Sequence, residues 1–243
     1  MNQGRISWGA RGVILIPMIW LLVFFLMPFL FLFVLSFSVP AIARPPYEPV
    51  IFFEDGRIQF QILLESWQRI LTNSTYISTY ISSVGIAFAA MSLTLIIGFP
   101  MAYVVARSGE KYRNFLLVLV ILPFWTSFLL RVYALKTIFY NQGPVNSFLM
   151  STGIVSEPIQ FLNTNFMVLV GITYVYLPFM ILPLYANLVK LPEEVLEASQ
   201  DLGASSFTTF WNITVPLALP GIIAGCLLVF IPAVGEYVVP DLL

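Results

Sequence analysis

The chain has 243 residues, of which 59% are hydrophobic and 9% charged, with a formal net charge of −1 and a mean hydropathy of +0.92. An ordinary soluble domain carries roughly 25% charged residues, and a water-soluble fold of this size has no way to hide so much apolar surface. The composition is that of a membrane protein and excludes disordered tails and nucleic-acid binders. The sequence has no histidine, a single cysteine (Cys226) and no P-loop, which removes His-based triads, internal disulfides, His or Cys metal clusters and P-loop nucleotide binding.

A span needs about 20 apolar residues, and five stretches supply them: 13–39, 77–105, 115–140, 166–189 and 217–239. The runs are continuous rather than alternating, which excludes a β-barrel. The first follows Arg5 and Arg11 but is too long for a signal-peptide core and lacks a small-residue cleavage site, so it is read as a retained span. Every span carries proline (Pro17, Pro28, Pro100, Pro123, Pro178, Pro183, Pro220, Pro232), either as ordinary kinks or as hinges.

Arg107, Lys111 and Arg113 crowd the loop 106–114 and mark it as cytoplasmic, which puts the N-terminus inside as well. The segment 40–76 then faces outward, its Arg44, Arg57 and Arg69 offset by Glu48, Glu54, Asp55 and Glu65. Within it, Phe60, Leu63, Leu64, Trp67 and Leu71 alternate with Gln61, Glu65 and Arg69 at helical spacing. This predicts an amphipathic helix over 58–71, lying on the membrane surface or meeting an outer partner. The outer loop 141–165, with Gly143, Pro144, Gly153 and Pro158, reads as turns.

The segment 190–216 is too polar to span. Pro192 suits a first helical turn, with Glu193, Glu194 and Glu197 where the helix dipole favours acids. Gly203 is placed for a left-handed cap, and Ser205 or Ser206 for the N-cap of a second helix bearing Phe207, Phe210, Trp211 and Ile213, stopped by Pro216. A helix–glycine turn–helix is expected, and it must pack on the bundle or on another protein.

These residues resemble the cytoplasmic motif of ABC importer permeases: E-A-A, three residues, G, nine residues, I, one residue, L-P. Here it reads Glu197-Ala198-Ser199, Gly203, Ile213 and Val215-Pro216 at the same spacing, with Ser199 and Val215 as conservative departures. The runs Leu122–Phe128 with Arg131, Tyr176–Met180 and Phe230–Tyr237 look like the polyamine (spermidine/putrescine) importer permeases, and the resemblance covers nearly the whole chain. It implies one transmembrane permease domain over 1–243, an all-α polytopic bundle in the bacterial inner membrane. It also implies a second permease subunit as hetero-dimer partner, two cytoplasmic ATPase subunits carrying ATP and Mg, an outer solute-binding protein, and no enzyme activity or cofactor in this chain. Glu197, Ala198, Ser199, Gly203, Ile213 and Pro216 would then couple to the ATPase. Because the family has six spans, a further outer loop and a sixth span are expected beyond Leu243, making this chain a portion or a shortened relative of such a permease.

A polycation calls for carboxylates and aromatic faces. Glu236, Tyr237 and Asp241 are the acid and aromatic candidates at the outer end, and Arg131 and Lys136, also at outer ends of spans, join Glu236 as candidates for the transport path; Trp125, Tyr133, Tyr174 and Tyr176 are candidates to line a path or simply to pack. An acid near a span needs a partner or water, so Glu236 either meets substrate or pairs with Arg131 or Lys136. The alternatives are a permease for iron, thiamine, sulfate or another small solute, or an ATP-independent secondary transporter. The last needs charged relays at mid-membrane, whereas three spans are uncharged and the others carry their charges near one end.

Overall fold

The computed structural model describes residues 8–42, 47–48, 50–54, 57–60 and 64–243; Arg5, Arg44, Asp55, Gln61 and Leu63, named above, lie outside them. The chain divides into two compact units, Met1–Thr79 and Tyr80–Leu243. Among the described residues four helices are long and apolar enough to cross a membrane, or five if a helix pair bent by 94° counts as one span.

In the first unit, α1 (Trp8–Leu21) and α2 (Met27–Leu35) are joined by a five-residue π turn, Leu22–Leu26. The π turn precedes Met27-Pro28. The Met27 N–H donates to the Leu22 carbonyl five residues back, and this wider turn relieves the clash a proline ring makes with the carbonyl four residues before it. The helix ends at Leu35, short of residue 39, because Val39 opens a strand. β1 (Val39–Pro40) pairs with β2 (Tyr47–Glu48), and β3 (Ile51–Glu54) pairs antiparallel with β4 (Arg57–Phe60) in the register Ile51↔Phe60 and Glu54↔Arg57. This corrects the amphipathic helix expected over 58–71: only α3 (Glu65–Thr72) is helical. Ile51, Phe52, Phe53 and Ile58 favour strands, and Asp55-Gly56 between them is a strong hairpin signal. The Trp67 ring lies 6.2 Å from that of Phe37.

The helix α4 (Ser74–Arg107) leads into the second unit. The span expected over 115–140 is broken. α5 (Glu110–Ile121) passes through a 3-10 turn, Leu122–Trp125, into α6 (Phe128–Ile138), and the two arms are bent by 94°. Pro123 cannot donate to the helix ladder, and Thr126 and Ser127 take extended backbone with ψ of 150° and 138°. The next loop holds a helix where turns were expected, α7 (Pro144–Ser151), started by Gly143 and Pro144. Buried Asn146 ties this loop together: its Nδ2 donates to the carbonyls of Tyr140 (3.2 Å) and Ile159 (2.9 Å), and its Oδ1 accepts from the Ile159 N–H.

The central helix is α8 (Asn165–Leu188). It is followed by α9 (Glu193–Asp201), α10 (Ser206–Thr209), a second π turn at Phe210–Thr214, α11 (Val215–Val234) and the short α12 (Val238–Leu242). Two expectations change here. Pro216 does not stop the second short helix. Val215 N–H bonds to the Phe210 carbonyl across the π turn, and the helix runs on from Ser206 to Val234. The fifth span ends at Val234 rather than 239, because the chain breaks at Gly235 before α12.

The helices α8 and α11 meet through Gly221 and Gly225. A Cβ on Gly225 would stand 2.7 Å from Met180 Sδ, and one on Gly221 2.8 Å from Asn187 Cβ, the close approach that small residues four apart permit in membrane helices. One core cluster gathers around Val132, Met167, Ile172 and Val239; another around Met180, Ile181, Leu184, Ala218 and Val229.

Candidate functional site

The α9–α10 pair has the geometry its residue pattern implies. Gly203 takes φ +84°, a conformation open to glycine at little cost. Its N–H donates to the Gln200 carbonyl, and the Ala204 N–H to the Ser199 carbonyl, the two bonds of a Schellman cap. The Ser205 side chain accepts from Thr208 N–H and caps α10.

The motif residues divide in two. Glu197 and Ala198 are exposed on α9, while Ser199 is buried. Ser199 Oγ donates to the Leu196 carbonyl (2.8 Å) and lies 2.7 Å from Thr209 Oγ1. Ser199 therefore clasps α9 to α10 from the buried side of the pair. Ile213 is half-buried in the π turn, and Pro216 is exposed in the first turn of α11.

The Phe210 ring packs edge-on to Phe99 of α4 at 5.5 Å, and Arg107 at the end of α4 donates to the Leu191 carbonyl (3.3 Å) and meets Glu193 at 3.7 Å. The pair is thus seated on the bundle by one face. Elsewhere on the pair Leu202 (89% exposed) and Phe207 (74% exposed) are bare, as are Glu197 and Ala198.

At the opposite end of α11, Glu236 is held by three donors. Its Oε2 accepts from the Tyr176 hydroxyl (2.6 Å), and its Oε1 from the N–H groups of Val238 (3.1 Å) and Val239 (3.3 Å). The carboxylate caps the start of α12 and ties it to α8. It forms no ion pair with Arg131 or Lys136, so neither of those partners is realised. A carboxylate offers about four acceptor positions, and three are in use.

From Tyr176 an aromatic row leads away from the acid. Tyr176 and Phe179 rings are 5.9 Å apart, Phe179 and Phe124 meet edge-on at 5.0 Å, and the Arg131 guanidinium rests 6.0 Å over Phe124. The Nε and Nη1 of Arg131 are buried without a hydrogen-bond partner. The structure thus places an acid and a cation at the two ends of an aromatic row, with the cation on a π face.

The other candidates lie elsewhere. Tyr237 is 73% exposed and Trp125 82% exposed; Asp241 is exposed on α12, and Lys136 is half-buried beside Tyr140 and Gly143. Tyr174 lines an apolar groove with residues of α4 and α5, since two residues on a helix separate it from Tyr176 by about 200°. The residues the sequence reading passed over are Thr209 as the partner of Ser199, Phe179 and Phe124 as the row beside Tyr176, and the Gly221-x-x-x-Gly225 pattern, which is visible as a motif.

The family of binding-protein-dependent transport system inner membrane components matches residues 94–243. The chain is 41% identical over 226 residues to the spermidine/putrescine transport system permease protein PotB of Haemophilus influenzae, spanning 92% of this chain and 74% of that one. It is also 41% identical over 186 residues to the PotB of Salmonella typhimurium, of whose length it spans 64%. To the inner membrane ABC transporter permease protein YdcU of Escherichia coli it is 34% identical over 191 residues, 72% of this chain and 59% of that one. Among solved structures, a bacterial alginate ABC transporter in complex with an alginate pentasaccharide-bound periplasmic protein aligns with a TM-score of 0.60 at 20% identity, covering 88% of this chain and 68% of that one, a likeness of fold.

Proposed function

We propose that this chain, which belongs to the family of binding-protein-dependent transport system inner membrane components, is a permease subunit of an ATP-driven polyamine importer. The observation that carries this reading is the α9–α10 pair: a short helix unit locked internally by Ser199, Thr209 and Gly203, anchored on α4 by Phe210 and Arg107, and bare at Glu197, Ala198, Leu202 and Phe207. Such a unit moves as a body when a partner grips these bare side chains. The partners are two cytoplasmic ATPase subunits that hold ATP and Mg, a second permease subunit, and an outer solute-binding protein. The loop with Arg107, Lys111 and Arg113 lies on the cytoplasmic side, and the N-terminus with it.

The names of the 41% identical relatives support the cargo, and so does the chemistry of the outer end. A polyamine's ammonium groups are matched by the remaining acceptor position of Glu236 and by the aromatic faces of Tyr176 and Phe179 beside it. Proteoliposomes holding the complete transporter, given labelled putrescine or spermidine with its binding protein, should accumulate label on ATP addition. Uptake of another solute with polyamine excluded would remove the cargo claim. Gly203→Pro should leave basal ATP hydrolysis and abolish its stimulation by loaded binding protein; unaltered stimulation would remove the coupling role.

A further inference from the structure

We propose that the second unit carries a site for one anionic phospholipid in the groove between α4, α5 and α8. The groove is a cavity of about 490 Å³ open to one side, lined on α4 by Met101 and Val104, on α5 by Leu116 and Leu119, and on α8 by Tyr174 and Leu177. Val104 is 58% and Leu119 48% exposed, so these side chains await an apolar occupant. Pro100 of α4, Pro178 of α8 and Pro123 just beyond α5 also line it. A helix, about 10 Å across with its side chains, lies over such a cleft, whereas an acyl chain enters it.

The end of the groove is cationic. Arg113 lies three residues before Leu116, on the same face of α5 one turn further on, and Arg107 stands in the same relation beyond Val104 on α4. Arg113 Nη2 donates to the Ser108 carbonyl at 3.1 Å, which bridges the ends of the two helices, while its Nε is buried with no partner. The guanidinium of Arg107 lies 5.8 Å over the Tyr103 ring with its Nη1 engaged by Leu191 and Glu193, so Arg107 serves the α9 side and the groove's cations are Arg113 and Lys111. Lys111 is exposed between them, and Glu110 is the one acid in this loop. Arg113, with its unpartnered Nε, and exposed Lys111, one turn beyond an acyl-sized apolar cleft, match a single ligand with a phosphate at one end and a hydrocarbon chain at the other. Positive charge that merely orients a span needs neither the cleft nor the buried donor.

Native mass spectrometry of the full-length protein, released from membranes with the subunits that co-purify, tests this without reference to cargo. Retained phosphatidylglycerol should exceed phosphatidylcholine. Arg113→Gln and Lys111→Gln should each lower its retention about fivefold, Arg113→Lys should restore it, and Lys190→Gln, which removes an exposed cation beyond the groove, should leave it unchanged. Leu119→Trp, which fills the cleft, should displace either lipid. Should that variant not fold, a phosphatidylglycerol with a photoactivatable acyl chain should label Leu119 and Val104 in the wild-type protein. Equal retention of the two lipids, an effect of Lys190→Gln as large as that of Arg113→Gln, or labelling confined to other segments would overturn the proposal, as would a disulfide crosslink from a cysteine at 119 to another protein's helix.

Discussion

At the scale of single residues, two polar side chains do work that their sequence context does not announce. Ser199 donates to the Leu196 carbonyl, so in its contact with Thr209 the threonine hydroxyl is the donor. The two ends of this bond are therefore unequal. Ser199→Ala strips a buried donor of its acceptor and should cost about 1–3 kcal/mol. Thr209→Val leaves Ser199 its bond to Leu196 and should cost about 1 kcal/mol or less. The double variant should recover most of the loss. Thermal unfolding of the four proteins in detergent checks the cycle, and equal single losses would reverse the assignment of the donor. Position 199 was legible as part of a motif but not as buried, because the motif records spacing and not which face of α9 turns inward. Glu236 was legible as an acid near a span that needs partners. Its partners were not, since Tyr176 lies sixty residues away on α8 and the Val238 and Val239 N–H groups become available only because the helix breaks at Gly235.

At the scale of elements, long apolar runs give the spans directly, because length and hydropathy are summed over about 20 residues and tolerate local surprises. The surprises are where two local signals compete. Residues 51–60 carry a strand pattern and a hairpin dipeptide while 60–71 carry a helical one, and the reading extended the helix across Phe60 into what is β4. The bend at Leu122–Ser127 was hidden because the run stays apolar through it, and proline occurs in every span, so Pro123 gives no sign of its own. The α8–α11 contact rests on the absence of side chains. Gly225→Leu should force Met180 aside and cost about 1–3 kcal/mol or more by overpacking. Gly85→Leu, at a position where nothing lies within 4 Å of an added Cβ, should leave the unfolding temperature unchanged. Equal effects at the two sites would mean that this helix contact is not what holds the second unit together.

At the scale of the molecule, the bent third crossing changes how the charges are distributed. The arm from Glu110 to Trp125 is about 26 Å long by its helical rise, close to the thickness of a hydrocarbon core, so after the 94° turn α6 runs nearly across it. Arg131 and Lys136 both lie on this second arm, and Arg131 rests its guanidinium over the Phe124 ring rather than on an acid. The second π turn has a consequence of its own for how the two ends of the molecule communicate. Along α11 the buried positions Ala218, Gly221, Gly225, Val229 and Ala233 recur every three or four residues, and Thr214 continues them backwards by four, but the next, Thr209, is five away. One residue has in effect been inserted into the helix, advancing its phase by about 100°. The insertion keeps the inward edge of α10 and the inward edge of α11 on one continuous helix, Ser206–Val234. Deleting exposed Asn212 should restore a plain α-helical count and swing Thr209 away from Ser199. It should leave the assembled complex able to hydrolyse ATP but deaf to its loaded binding protein; retention of full stimulation by the deletion variant would show that phase is not what the turn supplies.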